Sequence, residues 1–169
     1  MGDYKNLWEI CFYPQNMASW PGLKRQIHLS REDAMKQYQF QMEFQVRDYE
    51  CDMQGHVNNA VYLNYLEHCR HEFIKQLGLN FSELVKRGIS LVVIRAEMDY
   101  KYSLQSGERF MIGVILERVS PLRYRFIQDI YLLPEKKLVL KARVTGTGVN
   151  DKGRPQLPKE ISSALEKVS

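Results

Sequence analysis

The sequence predicts an α+β domain, with one curved antiparallel sheet wrapped around a single long central helix. Three features carry that expectation. Tyr38, Phe40, Met42, Phe44 and Val46 alternate with Gln39, Gln41, Glu43, Gln45 and Arg47, the period of a half-buried strand. From about Ala60 to Leu77, apolar residues instead recur every fourth position. After Gly88 the chain is β in character to about Asn150, broken by short turns that impose antiparallel pairing. An apolar helix stripe beside one antiparallel sheet makes two layers, with the stripe buried on the sheet's concave face.

Residues 1–36 stand apart from this pattern. They hold Trp8, Phe12, Tyr13, Pro14, Trp20 and Pro21 with no clean period, and read as an N-terminal extension of unknown role ahead of a domain over residues 37–169. Ser30, with Asp33 three residues on, is a candidate cap for a short helix reaching Met35, and Met35 is itself a plausible start residue.

The central helix carries Val61, Tyr65, Cys69, Phe73 and Leu77 on one stripe, widened by Leu66 and Ile74. Asn64, His68, His71 and Lys75 fall on another side, and Gly78 is a natural stop. A short second helix is expected over Phe81–Arg87, with Asn80 as its cap and Gly88 as its terminator. Four strands follow, over Ser90–Leu104, Phe110–Val119, Leu122–Leu133 and Leu138–Val149. Gln105–Glu108, Ser120–Pro121 and Pro134–Lys137 make the turns, and Leu157–Val168 is expected to close the chain as a short helix.

With 169 residues and 44% hydrophobic content, the chain suits one domain plus an extension. A chain of this length buries roughly two-thirds of its unfolded surface and needs no disulfide or metal staple. Cys11, Cys51 and Cys69 are odd in number and form no Cys-x-x-Cys pair, which argues against a disulfide framework and a zinc site and favours a reducing compartment. No apolar run approaches the ~18 residues of a membrane span, and the first residues do not read as a signal peptide, so a cytoplasmic protein is expected. The net charge of +4, with both signs interspersed, is too small to imply nucleic acid. It suits an anionic small molecule or an acidic carrier protein as partner.

The segment between the first strand and the long helix gathers Asp48, Glu50, Asp52, His56, Asn58 and Asn59, and Gly55 permits a tight bend there. It ends at a helix N-terminus, whose N–H groups lack intrahelical partners and carry partial positive charge. A carboxylate, an imidazole and free backbone donors are the parts needed for attack on a carbonyl: one group activates water and the N–H groups stabilise the oxyanion. Asp, Asn and Gly are equally ordinary loop residues, and Asn58 or Asn59 can serve simply as a helix cap.

The run Val46-Arg47-Asp48-Tyr49-Glu50-Cys51-Asp52-Met53-Gln54-Gly55-His56-Val57-Asn58-Asn59-Ala60-Val61-Tyr62 resembles the signature of the 4-hydroxybenzoyl-CoA thioesterase-like branch of the hotdog superfamily. It is most similar to the acyl-carrier-protein and acyl-CoA thioesterases reading Gly-(His/Val)-Val-Asn-Asn. The resemblance covers about residues 38–160 and implies a hotdog fold, with hydrolysis of an acyl thioester to free acid and thiol. It places the catalytic carboxylate on Asp52, as general base on water or as nucleophile giving an anhydride. It places the carbonyl-polarising donors on the backbone N–H groups of Asn59 and Ala60, and substrate contacts at Asn58 and Ala60. His56 and Asn58 depart from the residues found in many relatives, though both occur in plant-type carrier-protein thioesterases. Neutral His56 would orient Asp52, hydrogen-bond the substrate or take the proton itself.

Glu67 is a second candidate carboxylate, because another hotdog branch uses a helix Glu. Its alternative role is a surface or interface ion pair with Arg70 or His71. His68 and His71, three apart, read better as a solvated face than as a metal pair. Cys51 reads as a small hydrophobe, and Tyr62 and Tyr65 as core or interface. Arg118, Arg123, Arg125, Lys136, Lys137, Lys141 and Arg143 read as alternating solvent-facing charge, or else as a landing site for CoA phosphates or an acidic carrier. The family needs no metal and no cofactor, and it forms a homodimer or a tetramer of dimers with sites at the interface. Two other readings on the same fold are an enoyl-thioester hydratase, which also spaces an Asp and a His a few residues apart, and a non-catalytic acyl-CoA-binding domain.

Overall fold

The computed structural model describes residues 36–167. The short helix expected at Ser30–Met35, and the rest of the extension up to residue 35, lie outside them. The elements run β1 (Phe40–Gln45), a 3-10 turn (Asp48–Glu50), α1 (Asn59–Gln76), α2 (Phe81–Lys86), β2 (Ser90–Tyr100), β3 (Arg109–Ser120), β4 (Arg123–Leu132), β5 (Lys137–Val149) and α3 (Lys159–Lys167). Every element expected within the described residues is present.

The five strands form one sheet in the order β1-β3-β4-β5-β2, with every neighbouring pair antiparallel. This is the hotdog arrangement, a sheet curled around α1. Phe40 stands across from Val114 and Phe44 across from Phe110, so alternate residues of β1 and β3 reach the same face. That face meets the helix: Phe40 stacks on Phe73 with ring centroids 5.5 Å apart, and Tyr65 lies 4.9 Å from Phe110. Leu66, Cys69, Phe110, Ile112, Val114, Ile130 and Leu140 are completely or almost completely buried between the layers. Each such aliphatic or aromatic side chain contributes about 1.5–3 kcal/mol by leaving water.

The buried stripe of α1 is Tyr62, Tyr65, Leu66, Cys69, Arg70, Phe73 and Ile74. Val61 and Leu77, assigned to the stripe from the sequence, are only partly buried and flank it. The cause is geometric: with 3.6 residues per turn, a strict four-residue repeat drifts about 40° per step. Arg70 also departs from expectation. It points at the sheet, where its Nη1 donates to Gln128 Oε1 at 2.9 Å, while Gln128 Nε2 donates to the Leu66 carbonyl at 3.0 Å. One turn beyond Leu66, it shares that residue's inward direction.

On the opposite face of the sheet the Tyr38 ring crosses over β3 at Gly113 and donates a hydrogen bond from its hydroxyl to Asp129 Oδ2 at 2.7 Å. A Cβ on Gly113 would come within 2.5 Å of that ring, so only glycine admits the crossing. β2, one of the two sheet edges, is largely exposed, and Val93 and Ile94 remain 57% and 47% accessible. None of the described helices is long and apolar enough to cross a membrane.

Candidate active site

The polar segment between β1 and α1 is a stack of small hydrogen-bonded turns. Arg47 opens the first, where its backbone N–H donates to Glu50 Oε2 at 2.7 Å. The second is a tight loop from Asp52 to His56. The Asp52 N–H donates to the His56 carbonyl at 2.8 Å, and the Gly55 N–H donates to the Asp52 carbonyl at 3.0 Å. Gly55 takes φ +77°, the left-handed conformation this bend requires. Asp52 Oδ1 accepts the Gln54 N–H at 2.8 Å and the His56 N–H at 3.3 Å. The carboxylate is thus held by one oxygen on an exposed turn, and among the described residues Oδ2 has no hydrogen-bond partner.

The loop is clipped to the β2–β3 connection. The Val57 N–H donates to the Leu104 carbonyl at 2.9 Å, His56 bridges to Gln105, and the Ser106 hydroxyl donates to Asp48 Oδ1. The Leu104 N–H in turn donates to the Tyr62 hydroxyl at 3.0 Å. Burial, slightly offset by that bond, pushes the Tyr62 phenol up to about 12.

Asn58 caps α1, and its Oδ1 accepts the Ala60 N–H at 2.9 Å. The expectation that Ala60 offers a free N–H therefore needs correction, because the cap already occupies that donor. The Asn59 N–H finds no acceptor among the described residues, which leaves it as the open donor at this helix entry. Asn59 and Ala60 are exposed, as are Asp52 and Asn58, while His56 is half-buried.

The other candidates separate from this group. Glu67 is exposed on α1, with His71 Nε2 3.9 Å from its Oε1. Of the two partners expected for Glu67, His71 is the one brought close, while Arg70 is turned into the core. The His68 ring meets Phe44 edge-on at 5.9 Å between centroids. Cys51 pairs with Val57 in a bridge, and burial raises its thiol above the ordinary value. Of the basic residues in the last strands, Arg125 Nε donates to Glu117 Oε1 at 2.6 Å and Lys137 sits over the Tyr102 ring.

Sequence reasoning gathered Glu50 into the polar segment without a role of its own and read its partner, Tyr65, as core or interface. Glu50 is 9% exposed and its Oε2 accepts the Tyr65 hydroxyl at 2.5 Å. The spacing of Glu50 three residues after Arg47 is the one sequence signal for it. Beside this pair, between β1 and the first turns of α1, lies a cleft of about 680 Å³ lined by Met42, Phe44, Val61, Asn64 and His68.

Residues 46–165 match the family described as the thioesterase-like superfamily. The chain belongs to that superfamily. A chloroplastic acyl-acyl carrier protein thioesterase of Arabidopsis thaliana is 36% identical over 124 residues, which span 73% of this chain and 65% of the plant protein. The chain therefore spans just under two thirds of that relative. The long-chain acyl-CoA thioesterase FadM of Escherichia coli K12 is 29% identical over 105 residues, 62% of this chain and 79% of the bacterial protein. Among solved structures, a 1,4-dihydroxy-2-naphthoyl-CoA thioesterase from Synechocystis superposes with a TM-score of 0.72 over 76% of this chain and 96% of its own. At 17% identity that likeness is one of fold. It is the hotdog fold of thioesterase-like superfamily members.

Proposed function

We propose that this thioesterase-like superfamily member hydrolyses an acyl thioester, carried by CoA or by an acyl carrier protein, to a free acid and a thiol. The observation that carries the reading is the pairing of an exposed carboxylate with an open backbone donor on one loop. Asp52 keeps Oδ2 unengaged while Oδ1 is fixed by two N–H groups, and the Asn59 N–H stands unoccupied at the entry to α1. In the reaction, Asp52 takes a proton from the attacking water as the new C–O bond forms at the thioester carbon. The carbonyl oxygen gathers negative charge toward the Asn59 N–H and the helix N-terminus. The C–S bond then breaks and the departing sulfur takes up a proton. The other route, attack by Asp52 itself through an anhydride, is separated by a single turnover in heavy-oxygen water. Label retained in Asp52 would mark the anhydride.

The finer resemblance, to the branch reading Gly-His-Val-Asn-Asn at residues 55–59, supports a short loop-borne site of this kind. The plant and bacterial relatives are named for carrier-protein and CoA thioesters respectively, so both classes belong in the test. A panel of acyl-CoA and acyl-carrier thioesters of varied chain length, scored by thiol release, tests the proposal. No release from any member overturns it. The exposed edge strand β2, with Val93 and Ile94 uncovered, supports pairing of two copies edge to edge into a homodimer, alone or within a tetramer, because an unpaired apolar edge is otherwise an aggregation hazard. A monomer by light scattering contradicts the assembly. The odd number of cysteines, with Cys51 and Cys69 free, supports a cytoplasmic or similarly reducing location.

A further inference from the structure

Among the described residues, Glu50 is the buried carboxylate of the loop, and the proposed chemistry leaves it unused. It sits at the centre of a continuous chain of hydrogen bonds. Its Oε2 accepts the Tyr65 hydroxyl at 2.5 Å and the Arg47 N–H at 2.7 Å. Its own carbonyl accepts the Asn58 N–H at 3.0 Å. Asn58 then holds the first turn of α1 twice: Oδ1 takes the Ala60 N–H at 2.9 Å, and its carbonyl takes the Val61 N–H at 2.9 Å. Tyr65 is itself on α1, so the chain leaves the helix at its second turn and returns to it at its cap. The residue inside this loop of bonds is Asn59, whose N–H has no acceptor among the described residues.

A buried carboxylate is costly unless it is hydrogen-bonded or paired, and here Oε2 takes both bonds while Oε1 lies 3.8 Å from Arg47 Nη1. Charge-assisted bonds of this kind are short and directional, and roughly twice as strong as neutral ones. Burial, and then the bond to Glu50, raise the Tyr65 phenol far above its ordinary range, so Tyr65 is the donor of this bond. Asp52 is two residues from Glu50 along the chain, so a shift of the Glu50 backbone moves both the carboxylate and the helix entry.

We infer that Glu50, held by Tyr65, is a positioning residue for thioester hydrolysis: it fixes the distance between the Asp52 carboxylate and the Asn59 N–H. This rests on the reading of the site given above. Glu50 touches no reacting atom. Its contribution falls on the step in which both groups must meet the thioester at once, so it belongs to kcat rather than to KM. A misplacement of about 1 Å between catalytic groups costs on the order of a hundredfold.

The test compares Glu50→Gln, Tyr65→Phe, their double variant and Asp52→Asn, using a thioester that the unmodified chain turns over. Glu50→Gln and Tyr65→Phe are each expected to lower kcat by about ten- to a hundredfold with KM within about twofold. The double variant is expected to be no worse than the poorer single, because both substitutions break one unit. Tyr65→Phe removes a single hydroxyl, so it carries the test should Glu50→Gln fail to fold. Wild-type kcat in the folded single variants, or a loss confined to KM, overturns the inference while leaving the function intact, provided Asp52→Asn is inactive. Full activity of Asp52→Asn overturns the site itself, and absence of thiol release by the unmodified chain overturns both.

Discussion

Asp52 and His56 are joined through the His56 main chain, not through its imidazole. The Asp52 N–H reaches the His56 carbonyl at 2.8 Å, and Asp52 Oδ1 receives the His56 N–H at 3.3 Å. Both bonds survive loss of the His56 side chain. His56→Ala is therefore expected to keep the turn and to lower kcat for thiol release far less than Asp52→Asn does, by about tenfold or less. A loss equal to that of Asp52→Asn would show that the ring takes part in proton transfer.

Asn58 acts as a helix cap, and that role has a measurable size. Asn58→Ala removes the acceptor of the Ala60 N–H and is expected to cost about 1 kcal/mol in urea unfolding, whereas Asn58→Asp keeps an acceptor at the same place. Equal losses from the two substitutions would mean that the side chain matters for something other than capping.

The Tyr38 crossing depends on the absence of a side chain at Gly113. Gly113→Ala puts a Cβ 2.5 Å from the ring and is expected to destabilise the fold by about 1–3 kcal/mol, read as a lower denaturation midpoint. Pairing it with Tyr38→Ala should remove most of the additional cost. Simple additivity of the two losses would show that the ring is not the obstacle.

Buried phenols give the protein an alkaline limit. Burial raises Tyr62 and Tyr124 to about 12, above the ordinary value of 10. The folded state therefore favours the neutral phenol. Stability from this source is complete below about pH 10 and is lost as pH rises toward 12, because the unfolded chain ionises first. Urea midpoints measured at pH 8, 10 and 11 should hold between the first two and fall at the third. A midpoint flat through pH 11 would contradict the burial of these hydroxyls.

The fold was legible in the sequence because its periods are clean. The alternation over Tyr38–Val46 marks β1, and the four-residue recurrence after Ala60 marks α1 to within a residue at each end. Arg70 was not legible: a charged residue in a buried stripe shows its partner only when Gln128 of β4 is brought across the core. At the site, the sequence pointed to the segment between β1 and α1 as the candidate. It left two roles open for the Asn-Asn pair, cap or substrate contact, and hydrogen-bond geometry places Asn58 at the cap. The Glu50–Tyr65 bond joins residues that seemed unrelated because the chain turns sharply between them. No period records such a turn.

Thiol release by the unmodified chain and by Asp52→Asn, on acyl-CoA and acyl-carrier thioesters under identical conditions, bears most directly on the central claim. The expected result is turnover by the unmodified chain and a fall in kcat of about a hundredfold or more in a variant with unchanged circular dichroism. Near-full thiol release by folded Asp52→Asn would contradict it.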